Sequence, residues 1–241
     1  MASEHYKTLA AMRLLVRDQL DEASASFWTD AQLLRYLNRA KDRVWTRLRA
    51  LNEYYCTVTR TSTDGALTIQ GESYAASAFR IVAGTSDYAL PPDFDSMSTI
   101  EVITPGYEDL NITRLDINGP EFRGARSLVD NQSPSGEIYF DIIQEPAVMR
   151  IAPKTDVTLD LRITYVQTLA DLSADTDRLL LPNPLYLAVA DYTTMFALRQ
   201  DRSPDAGTYE QSGDKIIAEK FGSDFRQTQD ISVARSYLAG W

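Results

Sequence analysis

The sequence predicts an α+β protein. An antiparallel helical bundle formed by N- and C-terminal helix pairs carries an inserted antiparallel β-sheet or small β-sandwich and ends in an extended C-terminal tail. Three observations predict it: helical periodicity up to about Glu53, short alternating runs broken by Gly and Pro from Cys56 to Gln167, and helical periodicity again beyond Asn183. The predicted division is 1–54 with 178–222 for the bundle, 55–177 for the β-rich insertion with its polar linker, and 223–241 for the tail.

Two amphipathic helices open the chain. In the first, Leu9, Met12, Val16 and Leu20 recur at three- and four-residue spacings and so share one face. The second begins at Thr29, whose hydroxyl caps the helix while Gln32 reaches back in a capping box, and it runs to about Glu53 without Gly or Pro. Leu33, Leu37, Val44, Leu48 and Leu51 form its buried stripe. The opposite side carries Arg35, Arg39, Arg43 and Arg47, a four-residue ladder about three turns long. The plain reading is a solvated charged face. The sharper reading is a subunit-interface or DNA-facing surface that meets an acidic neighbour or a phosphate backbone.

The middle of the chain changes texture. Leu159, Leu161, Ile163 and Tyr165 alternate with Thr158, Asp160, Arg162 and Thr164, the period of a strand with one buried face. Residues 55–61, 67–70, 98–104, 137–142 and 148–152 are further strand candidates. Asp64-Gly65, Pro91-Pro92, Pro105-Gly106, Gly119-Pro120 and Pro134-Ser135-Gly136 supply the breaks.

Near the C-terminus Asn183-Pro184 and Ser203-Pro204 each place a capping side chain before a proline at the first helical position, where its missing N–H costs nothing. Leu185, Val189, Tyr192 and Phe196 form the stripe of the third helix; Tyr209, Ile216, Ile217 and Phe221 form that of the fourth. Gly213 inside the fourth weakens it by about 1 kcal/mol against alanine. Beyond Gly222 sustained helical periodicity is lost, yet Phe225, Ile231, Tyr237, Leu238 and Trp241 remain. Such residues either fold back on the same subunit or anchor in another chain, where aromatic side chains contribute disproportionately to binding.

Composition narrows the function. Hydrophobic residues make up 44% and charged residues 24% of 241, ordinary globular usage that argues against wholesale disorder. The net charge of -10 argues against a surface that grips nucleic acid, because phosphate neutralisation needs clustered Lys and Arg. Most of that acidity sits in residues 55–170, with 16 acidic against 8 basic side chains, whereas residues 1–54 carry 9 basic against 7 acidic. The N-terminus has no basic stretch followed by an apolar run, and nowhere are there 18 consecutive apolar residues, so a soluble protein used without export or a membrane is expected.

Convergent chemistry is sparse. Cys56 alone cannot form an internal disulfide or a cysteine-based zinc site, and no second histidine beside His5 can activate it. Asp93 with Asp95, and Asp171 with Asp175 and Asp177, fit turns and helix approaches better than the spacing of a calcium loop. Dinucleotide, Walker and nucleophile-elbow motifs are absent from the sequence. No catalytic, cofactor-binding or metal-binding residue is therefore assigned.

Three ordered stretches carry a family resemblance. FWTDAQLLRYLNRAKDRVWTRL resembles the opening helix pair of the head-to-tail adaptors of short-tailed phages, where a W-[ST]-D-x-x-L-x-x-x-[IL]-N-x-A pattern begins the second helix. DYALPPDF resembles the strand and turn of their β region, and LDLRITYVQTLADLSADTDRLLLPNPLYLAVADYTTMFALRQD their last strand, linker and return helix. The resemblance implies a structural protein of the virion neck, assembled in the host cytoplasm. It implies a twelve-copy ring of adaptor subunits on the portal protein, a further contact with a downstream tail or nozzle protein, and transient, non-specific passage of double-stranded DNA. In that setting Phe225, Ile231, Tyr237, Leu238 and Trp241 form a portal-binding tail. Two other classes stay open on the residues alone: a receptor- or carbohydrate-binding module using Tyr74, Tyr88, Tyr107 and Tyr139, and a carboxylate-dependent hydrolase.

Overall fold

Threonine caps set the two N-terminal helices. Thr8 Oγ1 accepts from Ala11 N–H at 3.3 Å to start α1 (Leu9–Gln19). Thr29 Oγ1 accepts from Gln32 N–H at 3.3 Å while Gln32 Oε1 accepts from Thr29 N–H at 2.9 Å, the expected capping box at the start of α2 (Asp30–Leu51). A 3-10 turn, Glu53–Cys56, then leads out. The computed structural model describes residues 7–22, 27–69, 71–127, 137–143 and 147–221. His5 and the whole of the predicted tail, including Phe225, Ile231, Tyr237, Leu238 and Trp241, lie outside them.

The described residues fall into two units, one reaching Cys56 and resuming at Asp171, the other spanning Thr57–Ala170. In the helical unit, α4 (Leu185–Gln200) packs against both α1 and α2. Its sequence is apolar nearly all round, and eleven of its sixteen residues are buried, so it is the centre of the bundle rather than a one-faced surface helix. The predicted stripe Leu185, Val189, Tyr192 and Phe196 is buried, as are Leu9, Met12 and Val16 of α1 and Leu33, Leu37, Val44 and Leu48 of α2.

The start of α4 corrects one expectation. Pro184 occupies the cap position itself, and no side chain caps the helix. The main chain does so instead, through Leu185 N–H to Pro182 O at 2.8 Å and Leu187 N–H to Pro184 O at 2.9 Å. The final helix, α5, covers 206–221, and Ser203 Oγ accepts from Asp205 N–H just before it at 3.3 Å. Ile217 and Phe221 turn inward from α5.

Among the described residues the second unit holds nine strands: β1 (Thr57–Thr61), β2 (Ala66–Ile69), β3 (Glu72–Ala75), β4 (Asp87–Ala89), β5 (Phe94–Val102), β6 (Ile112–Arg114), β7 (Ile138–Ile143), β8 (Val148–Ala152) and β9 (Leu161–Gln167). They form a β1-β9-β5 sheet, a β2-β3 hairpin and a β4-β8-β7-β6 sheet. Pairing is antiparallel apart from β6 with β7, which is parallel. The alternation read in β9 is present: Leu161, Ile163 and Tyr165 are buried while Arg162 faces solvent. These three pack with Phe79, Ile81, Tyr88, Ile138, Phe140, Met149 and Ile151 into one core. A short helix, α3 (Pro120–Ser127), closes a smaller cluster through Phe122 and Ala125.

Candidate assembly surface

Each residue of the opening motif has a task inside its own unit. Trp28 is buried, its carbonyl accepting from Arg17 at 3.0 Å, and Arg17 also reaches Asp30 at 2.7 Å and Glu22 at 3.0 Å. That guanidinium hydrogen bond holds the Asp30 carboxyl below its ordinary range. Leu33, Leu37 and Ala40 are fully buried. Asn38 clamps the returning chain in both directions: its Nδ2 donates to Leu172 O at 3.0 Å and its Oδ1 accepts from Leu172 N–H at 2.8 Å. The motif therefore joins α1, α2 and the segment that returns from the insertion.

The second stretch works the same way. Tyr88 is buried with its hydroxyl donating to Thr85 O at 2.8 Å, and Leu90 N–H donates to Ala147 O at 3.0 Å. Asp93, also buried, accepts from Tyr165 O–H at 2.7 Å, and the Phe94 ring lies 5.5 Å from that of Tyr165. Burial, then the bond to Asp93, raises the Tyr165 phenol well above its usual range.

The carboxylates of the third stretch are structural too. Asp171 pairs with the buried ammonium of Lys41 at 2.9 Å, and Asp175 with Arg13 at 2.6 Å. Asp177 Oδ2 accepts from the Ser173 and Ala174 N–H groups, both at 2.7 Å, which holds its carboxyl below the ordinary range. No grouping of three or more His, Cys, Asp or Glu suited to a metal ion occurs among the described residues. Burial pushes the Cys56 thiol up to about 11, which keeps it protonated at neutral pH.

The arginine ladder divides into two halves. Arg43 stacks over the Tyr192 ring at 4.6 Å and reaches Glu210 at 2.5 Å, which also takes Arg199 at 2.5 Å. Arg47 donates to the Tyr192 hydroxyl at 2.6 Å and pairs with Asp214, to which that hydroxyl also donates. This network fastens α5 to α2 and α4. It depresses the Glu210 carboxyl, chiefly through Arg43, while burial raises the Tyr192 phenol against the opposing charges of Arg47 and Arg43.

Nearer the N-terminus of α2, Arg39 lies 4.3 Å over the Phe196 ring yet stays exposed. Arg35 is exposed and makes no ion pair among the described residues. The Glu210 and Asp214 partners were beyond sequence reasoning, because only the fold brings residues 167 positions away in the chain beside the ladder.

The surface also shows large apolar side chains. In the helical unit these are Leu14, Phe27, Tyr54 and Leu180, with Tyr54 78% exposed. The tyrosines considered for glycan binding make no exposed aromatic platform. Tyr88 is buried, Tyr74 and Tyr107 pack on the β core, and Tyr139 lies against the small cluster under α3.

What unites these observations is that the motif residues hold the fold of their own units. The sequence pattern of the SU10 adaptor protein family matches residues 7–236. The chain belongs to that family. None of the curated proteins matches it. SU10 adaptor family members are non-catalytic head-to-tail connectors of tailed phages, so this adaptor is a structural component of the virion. Neither a hydrolase nor a glycan-binding reading has support in the family or in the arrangement of its carboxylates and tyrosines.

Proposed function

We propose that the adaptor forms a twelve-copy ring on the outer end of the portal protein, extends the DNA channel, and gives a downstream tail or nozzle protein its attachment site in the virion neck. The family match over residues 7–236 carries this reading. A ring of this kind needs a heterologous interface that closes at the right rotation. We assign Arg35 and Arg39 to that interface or to the DNA-facing wall, because both residues are exposed. Arg43 and Arg47 serve the neighbouring end of the ladder by fixing α5 behind it. The segment with Phe225, Ile231, Tyr237, Leu238 and Trp241 is assigned to the portal. With a net charge of -10, the chain offers DNA little to grip as it passes.

The test is a mass measurement of the purified protein alone and mixed with portal. A portal-bound complex containing twelve adaptor copies is expected. Absence of association at micromolar concentrations would refute the assignment.

A further inference from the structure

Strand β5 pairs on one side only: within its sheet it is hydrogen-bonded to β9 and to no other strand among the described residues. The Ile103 N–H donates to Asp160 O, which fixes the alternation along this pair. Main-chain groups of Glu101 turn toward β9, and those of Ile100 and Val102 turn away. Beside the outer edge runs a groove of about 350 Å³, lined by residues 97–100 of β5, Ile112 and Arg114 of β6, and Phe140 of β7. Met97, Ile100 and Ile112 are half-buried in it, and β6 is itself the last strand of its sheet.

An edge strand is a template for pairing; β5 carries no lysine or proline, its charges are Asp95 and Glu101, and beyond its register shifts at Phe94/Ser96 and Met97/Thr99 it runs regularly from Thr99 to Val102. The chain contains a segment suited to it. With the two-residue period of a strand, Ile231, Val233 and Tyr237 share one face with Arg235, the one charge, and alternate with Ser232, Ala234 and Ser236. The nine residues from 222 to 230 span up to about 30 Å when extended, enough to carry that stretch well away from α5. The family match runs to Ser236 and so takes in this stretch apart from Tyr237.

We infer that residues 231–237 of one copy add as a strand to the outer edge of β5 in a neighbouring copy, setting the face with Ile231, Val233, Arg235 and Tyr237 toward the groove. This rests on the ring reading above. Each copy gives one segment and receives one, the repeated heterologous contact that a closed ring uses. It also narrows the portal-contacting end of the tail to Leu238 and Trp241.

The test mixes Ser98→Cys protein with Ser232→Cys or Ser236→Cys protein and oxidises the mixture, both with portal and concentrated without it. The native Cys56 is buried and stays out of the exchange. A disulfide joining the two variants is expected, with its yield cut at least tenfold by Val233→Pro in the tail partner, since proline removes a pairing N–H. Absence of the mixed disulfide in both samples overturns the inference. So does an equal yield with Val233→Pro, or a disulfide that forms only within one chain of the dilute Ser98→Cys/Ser232→Cys double variant. A mixed disulfide without any portal binding leaves strand exchange standing and refutes the portal assignment.

Discussion

Gly213 offers the sharpest test of how α5 is held. A Cβ at this position would lie 3.1 to 3.3 Å from three carbons of the Tyr192 ring. That ring cannot move aside easily: it is fully buried, Arg43 and Arg47 lie over it, and its hydroxyl is fixed by Arg47 and Asp214. In an open helix, Gly→Ala would stabilise by about 1 kcal/mol. Overpacking a fixed site costs roughly 1–3 kcal/mol, so Gly213→Ala should be destabilising by about 1 kcal/mol. In a Tyr192→Leu background, where the ring is gone, the same change should stabilise by about 1 kcal/mol. Urea unfolding of all four proteins, followed by the helical circular dichroism signal, measures both effects. An equal, stabilising effect of Gly213→Ala in both backgrounds would refute the contact argument.

The depressed Glu210 carboxyl contributes stability that is complete above its unfolded value, near 4.3, and is lost as pH falls through the lower folded value. Glu210→Gln should flatten that part of the acid limb in unfolding curves recorded from pH 6 to 3. In the β unit, Tyr165→Phe strands the buried Asp93 acceptor and should cost about 1.5–3 kcal/mol in urea unfolding. Arg35→Glu with Arg39→Glu should leave the circular dichroism spectrum unchanged and weaken ring formation at least tenfold, as read by sedimentation. Unimpaired rings would remove these arginines from the interface.

The helix pairs were legible because their signals are local. A capping box needs four consecutive residues, and the stripes of α1 and α2 repeat within one or two turns. Strand β9 was legible for a similar reason, its alternation lasting long enough to establish a period. Strands β3 and β6 were not, since three or four residues are too few for a period, and β4 was reached only through the resemblance carried by DYALPPDF. Helix α3 follows a Gly-Pro break that reads equally well as a turn.

The candidate surface was legible only in part. The spacing of Arg35, Arg39, Arg43 and Arg47 correctly puts them along α2, but spacing carries no information about which carboxylates arrive from α5. The enclosure of α4 was hidden as well. A four-residue stripe identifies one buried face, while burial of Ala190, Asp191, Thr193 and Thr194 on the others requires neighbours on several sides.

The central claim, that this adaptor joins head to tail, is tested most directly by reconstitution. DNA-filled heads carrying portal but assembled without this protein should neither accept tails nor infect, and adding the purified protein before the tail components should restore both. Heads that acquire tails and infect equally well without it would contradict the account.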